Sequence, residues 1–169
     1  MIFMSQSGLT DRAREAAWDA WYVKHLHIMA SVPGISSAQR FKTATPGFPP
    51  SLAMYSVASP NVFIDPYYLK IRGMGEWQAL VDRQYYKRNL FEGLPRAPQV
   101  ADNHCMLVAD RDETQGRVAG LEFTWLKCVG IDRSTPYRGI VVVAAAPPHV
   151  PADVAVYEPV TPRIAGTAR

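Results

Sequence analysis

Cysteine, long apolar segments and blocks of like charge are all scarce in this sequence. Its two cysteines, Cys105 and Cys128, are not spaced as a CxxC pair, so neither a disulfide framework nor a structural zinc site is indicated. The longest apolar run, residues 140–146, is far shorter than the ~20 residues that a membrane-spanning helix needs. We therefore expect two reduced thiols, no membrane partner, no metal site, and a buried strand at the apolar run.

Charge and sequence motifs exclude several further classes of protein. The 18 basic and 15 acidic residues are scattered along the chain, whereas a nucleic-acid-binding surface clusters its basic side chains. No GxGxxG, P-loop or GxSxG motif occurs, so a nucleotide cofactor or a serine hydrolase is not indicated. Residues 1–5 contain no basic residue ahead of a long apolar segment, which argues against a secretory signal. We expect a cytoplasmic protein without a cofactor or a nucleic-acid partner.

An aromatic amphipathic helix is the clearest element that is present. It is predicted over residues 12–30, with Thr10 or Asp11 as its N-cap, and Pro33 and Gly34 end it. Residues on one face of this helix recur at offsets of 3, 4, 7 and 11: Trp18, Trp21, Tyr22, His25 and Met29. His25 therefore faces the core, and His27 points the opposite way.

Two strands and two further helices are predicted after this helix. Residues 35–43 and 51–58 form the strands, residues 61–72 a short helix interrupted near Pro66, and residues 76–90 a longer helix. Neither face of the second strand is polar, so we expect its sheet to be covered on both sides.

The second half of the chain partly repeats the first. An offset of 102 residues places Leu52–Tyr55 on Val154–Tyr157 and residues 36–43 on 138–145. We interpret this as a diverged duplication, although chance similarity of amphipathic strands is the alternative. Residues 1–100 are then a first repeat, and residues 101–169 a truncated second repeat with a weaker helix between residues 113 and 126, packed together as one domain.

A split βαβ pattern repeated in this way predicts an α+β fold in which two ferredoxin-like sheets form a barrel. Short motifs of the first half resemble the EthD-like family of the dimeric α/β-barrel superfamily; they lie at residues 21–22, 25–26, 29, 32–35, 38–41, 52–55, 59–60 and 66–69. Members of this family have an acidic residue shortly after the Trp-Tyr pair, before the His-Leu pair. This chain has Val23 and Lys24 between the two pairs, so the role of that acidic residue is not assigned to any residue here. The resemblance implies a site between helix and sheet.

His25 matches the family histidine, and a neutral imidazole can take up and return a proton without a cofactor. Tyr55 is predicted to orient it or to stabilise an oxyanion, and Arg40 to hold a carboxylate. A solvated position at a strand end or an ion pair is the alternative for Arg40. The predicted substrate contacts are Trp21, Tyr22, Tyr68 and Trp77. Ordinary core packing is the alternative for all of these residues.

These features predict a cofactor-independent isomerase, lyase or cyclase acting on a small aromatic-derived, lactone or polyketide-like molecule. The alternative is a non-catalytic ligand-binding or accessory protein of a catabolic or biosynthetic pathway. Haem binding is a weaker third hypothesis. Because an incomplete second repeat would leave strand edges uncovered, we also expect a homodimer.

Overall fold

Eight antiparallel strands close into a barrel in the computed structural model, which describes residues 1–167. A ninth strand of two residues continues the eighth. In chain order, the strands are Ile2–Ser7 (β1), Ile35–Lys42 (β2), Ser51–Val57 (β3), Lys87–Glu92 (β4), Cys105–Arg111 (β5), Thr124–Ile131 (β6), Tyr137–Val143 (β7), Ala155–Pro159 (β8) and Ile164–Ala165 (β9).

Each barrel strand has a neighbour on both sides. The order around the barrel is β1-β3-β2-β8-β5-β7-β6-β4, and β4 returns to β1. Closure on one side depends on β2, which pairs with β8 at Phe41 and Lys42 and with β9 at Ser37 and Ala38. Since closure is complete within one chain, the barrel strands expose no unpaired edge.

One long helix and one short helix lie outside the barrel. Helix α1 spans Glu15–Ala30 and helix α2 spans Pro66–Ile71. Asp11 accepts a hydrogen bond from the Ala13 amide in the 3-10 turn that precedes α1, and the Asp65 carboxylate accepts from the first amides of α2. These bounds confirm the predicted helix in residues 12–30 and the interrupted helix in residues 61–72.

Alternating strand residues divide the barrel into an inner and an outer core. On β3, Leu52 and Met54 pack inside the barrel, whereas Ala53, Tyr55 and Val57 pack outside it against α1 and its neighbours. Both sets are buried, which confirms that this strand is covered on both faces.

The ferredoxin-like dimeric α/β barrel predicted from the sequence is wrong. The chain is mostly sheet, and its eight-stranded antiparallel barrel closes on itself; within residues 1–167, α1 is the only helix longer than two turns. Residues 76–90 were expected to be helical, but they contain a 3-10 turn at Gly75–Trp77, further turns, and then strand β4. Residues 113–126 contain no helix; an isolated bridge joins Val118 to Leu121 before β6 begins. Apolar residues in both segments recur at helical spacing, but turns whose apolar side chains are buried give the same spacing. The spacing alone therefore did not establish a helix in either segment.

The repeat hypothesis gains one observation from the strand order. Strands of the first half lie in the order β2-β3-β1-β4, and those of the second half in the order β6-β7-β5-β8. By position in this order β3 matches β7, whereas the offset of 102 residues placed β3 on β8.

Among the described residues, no helix is long and apolar enough to cross a membrane.

Candidate functional site

A small cavity lies outside the barrel, between α1, the outer faces of β1, β3 and β4, and the segment that follows α2. Its volume is about 30 Å³, and it is partly open to solvent. The cavity thus admits one or two water molecules or a small chemical group. The lining residues are Phe3, Ser5, Tyr22, His25, Met29, Tyr55, Tyr68, Arg72, Gly73, Met74, Tyr86 and Arg88.

His25 reaches this cavity from the third turn of α1. Its side chain is nearly buried, and the Trp21 ring stacks on the imidazole with centroids 4.7 Å apart and planes 11° apart. The Tyr22 ring meets the imidazole edge to face, with ring centroids 6.0 Å apart. None of the hydrogen bonds found within residues 1–167 involves the His25 ring, so both ring nitrogens can form hydrogen bonds with a bound molecule or water.

Burial keeps this imidazole neutral. Loss of solvation lowers the pKa of His25 to about 4, because the charged form loses more hydration than the neutral form. At neutral pH one ring nitrogen of His25 is therefore a free proton acceptor.

Four tyrosine side chains line the cavity together with the imidazole. Burial raises the pKa of Tyr22, Tyr68 and Tyr86, and raises that of Tyr55 well above its ordinary value. These hydroxyls are therefore protonated at neutral pH and can donate hydrogen bonds to an oxygen of a bound molecule.

Two arginines lie at the mouth of the cavity, and they differ in their pairing. The backbone amide of Arg88 donates to Asp132 Oδ2 at 2.8 Å, and its Nη2 donates to Oδ1 at 3.1 Å. Arg72 is exposed and has no ion-pair partner among the described residues. The positive φ of 96° at Gly73 turns the chain directly after Arg72, a conformation that favours glycine.

Arg40 lies outside the cavity. Its guanidinium forms an ion pair with Asp19 at 2.8 Å, donates from Nε to Ser51 Oγ at 3.0 Å, and stacks on the rings of Trp18 and Tyr22. The side chain is 1% exposed, so a substrate carboxylate has no route to it. The ion pair that the sequence left as the alternative for Arg40 is the arrangement found.

The remaining predicted contacts divide between the cavity and the core. Tyr22, Tyr55 and Tyr68 line the cavity beside His25. Trp21 is one layer away and contributes through its stack on His25, whereas Trp77 packs in the outer core with Arg14 over its ring at 4.9 Å.

Sequence reasoning missed the contribution of β4. The register of β1 with β4 sets Ser5 opposite Arg88 and Phe3 opposite Leu90, so alternate residues of both strands face the same side. Tyr86 lies in the segment 76–90 that the sequence predicted to be helical. The alternation of Tyr86, Arg88 and Leu90 is the signal that predicts a strand with one face toward the cavity.

The described part of the chain contains no group of three or more His, Cys, Asp or Glu side chains placed to hold a metal ion. Comparison of the sequence with models of known protein families and with curated proteins finds no match. The resemblance to the EthD-like family accordingly stays a prediction from the short motifs.

Proposed function

We propose that the protein is a cofactor-independent enzyme that moves a proton within a small aromatic-derived, lactone or polyketide-like molecule, with His25 as the acid and base. The observation that carries this proposal is the neutral, hydrogen-bond-free imidazole of His25 facing a cavity lined by tyrosine hydroxyls. A buried base beside donors suited to an oxyanion is the arrangement that carbon acid chemistry requires.

The proposed step balances without a co-reactant. His25 takes a proton from a carbon next to a carbonyl group, which gives an imidazolium and an enolate. The hydroxyls of Tyr55 and Tyr22 donate hydrogen bonds to the enolate oxygen. Return of the proton from His25 to a different carbon completes an isomerisation. In the lyase case the enolate instead expels a leaving group, which takes the proton from His25 as it departs.

A second candidate function is ligand binding without turnover in the same cavity. One observation favours it: a pKa of about 4 makes neutral His25 a weak base. A bound anion would raise that pKa by Coulombic attraction, so the difference between the two functions depends on the ligand.

Deuterium exchange tests catalysis without knowledge of the natural substrate. The protein is incubated in heavy water with a panel of lactones, β-dicarbonyl compounds and hydroxylated aromatic acids, and loss of C–H signal is followed by NMR. We expect faster exchange for at least one compound, and a decrease of about 100-fold or more in the His25→Gln variant.

His27→Gln is the matched control for this experiment, because His27 lies on the exposed face of the same helix. It should exchange at the wild-type rate. No acceleration by the wild-type protein, or full activity in His25→Gln, would contradict catalysis by His25.

Cytoplasmic location and a homodimer are further proposals. The free thiols of Cys105 and Cys128 support a reducing compartment. Exposed apolar side chains outside the barrel, at Val23, Ile28 and Val160, support self-association. Solution scattering at micromolar concentration that gives the mass of one chain would contradict the dimer.

A further inference from the structure

The cavity under α1 has an uneven distribution of charge. Its lining contains two arginines and no aspartate or glutamate. Asp132, which lies beside the mouth, accepts hydrogen bonds from the backbone and side chain of Arg88 and so neutralises that cation. The charge of Arg72 is left without an acidic partner in residues 1–167.

The deep end of the cavity has no charged residue in its lining. His25 is neutral, and burial holds the tyrosine hydroxyls in their protonated form. Phe3 and Met29 complete its wall with apolar surface. The buried Arg40 cation behind this wall lies outside the cavity and is already paired with Asp19. A charged group placed there would therefore meet no free counter-ion, whereas a carbonyl oxygen would meet hydroxyl donors.

From this arrangement we propose that the ligand of the cavity is a small carboxylic acid, bound as its anion with the carboxylate at Arg72 and an uncharged carbonyl end facing His25. This inference rests on the proposed function only for the role of His25; the charge preference depends on Arg72 alone. The guanidinium of Arg72 offers paired donors that match a carboxylate, and Tyr68 and Tyr86 contribute hydroxyl groups to the same lining.

The size of the cavity limits the acid. Space for only one or two waters at depth admits a carbonyl or another small group, while the open mouth leaves room for a carboxylate exposed in part to solvent. The carboxylate would also act on His25, because an anion nearby raises the pKa of the imidazole and makes it a better base.

Levulinate and its primary amide are matched probes of this proposal, since they share a small ketone end and differ in charge. Binding is measured by NMR titration of the wild-type protein. We expect levulinate to bind about three- to tenfold more tightly than the amide, and Arg72→Gln to remove that difference.

Arg83→Gln is the control variant, because Arg83 is exposed in the turns before β4 and does not line the cavity. It should bind levulinate as the wild-type protein does. Equal affinity for the two probes, no binding of either probe at millimolar concentration, or an unchanged preference in Arg72→Gln would overturn the proposal.

The outcomes separate the two proposals. Charge preference without deuterium exchange would leave the carboxylate site intact and contradict catalysis. Exchange that depends on His25 but favours neutral compounds would support catalysis and overturn the carboxylate site.

Discussion

Buried polar groups inside the barrel and under α1 differ in whether they have partners. Inside the barrel, Arg138 is fully buried and donates to both oxygens of Asp110 at 2.7 and 2.8 Å and to Gln6 Oε1 at 2.8 Å. The Tyr157 hydroxyl there donates to the Pro49 carbonyl at 2.7 Å. Each of these groups is satisfied by its neighbours.

Under α1 the pattern is reversed. The buried side-chain atoms without a hydrogen-bond partner in the described residues belong to α1 or to residues packed on its side of the sheet: Ser7 Oγ, Trp18 Nε1, Asp19 Oδ1, Arg40 Nη2 and Trp77 Nε1. Of these, Asp19 Oδ1 still has its ion pair with Arg40. None of these five residues lines the cavity. The comparison separates a polar network that holds the barrel together from a side of the sheet where several buried polar atoms lack partners.

Breaking the interior network should have the largest effect on stability. Asp110→Ala leaves the Arg138 cation buried and unpaired, and we expect the free energy of unfolding to fall by about 3 kcal/mol in urea denaturation. Arg138→Met removes the buried cation itself and should cost less, because Asp110 is 42% exposed and can be hydrated. Equal costs for the two variants would contradict this account of the interior.

Acid should destabilise the protein through His25. The pKa of His25 is lowered by folding, so its stabilising contribution is complete above the unfolded value near 6.5 and is lost as pH falls toward about 4. Between neutral pH and pH 4, urea denaturation should show a loss of about 2–3 kcal/mol that is missing in His25→Gln. The same acid sensitivity in both proteins would place the titrating group elsewhere.

Two tyrosine-to-phenylalanine variants give the smallest effects and compare the two regions directly. Tyr157→Phe leaves the Pro49 carbonyl and Gln6 without their interior partner and should cost about 1–3 kcal/mol of unfolding free energy. Tyr55→Phe removes a hydroxyl that has no hydrogen bond in residues 1–167, so its cost should stay within about 0.5 kcal/mol. Thermal unfolding of both variants measures the difference; a reversed order would remove the distinction between the regions.

The helix and its orientation could be predicted from the sequence, because the spacing of Trp18, Tyr22, His25 and Met29 is helical and these residues are buried. The same argument correctly placed His27 on the exposed face. Strands β2 and β3 were also predicted, since segments rich in apolar residues and bounded by prolines are typical of buried strands.

Barrel closure could not be predicted in the same way. It depends on long-range pairing of β2 with β8 and of β4 with β6, which no local pattern records. The partner of Arg40 in its ion pair could not be predicted for a related reason: Asp19 lies 21 residues earlier and meets Arg40 only after α1 packs on β2. The free arginine of the site, Arg72, carries no sequence signal that distinguishes it from other surface arginines.

The location of a bound carboxylic acid tests the distinction between the two regions most directly. In an NMR titration with levulinate, we expect the backbone signals of Ser5, His25 and Arg88 to shift with one common affinity. Signals of Arg138 and Leu126 in the barrel wall and interior should stay in place. Shifts confined to the interior residues, with His25 and Ser5 unchanged, would contradict the assignment of the cavity under α1 as the ligand site.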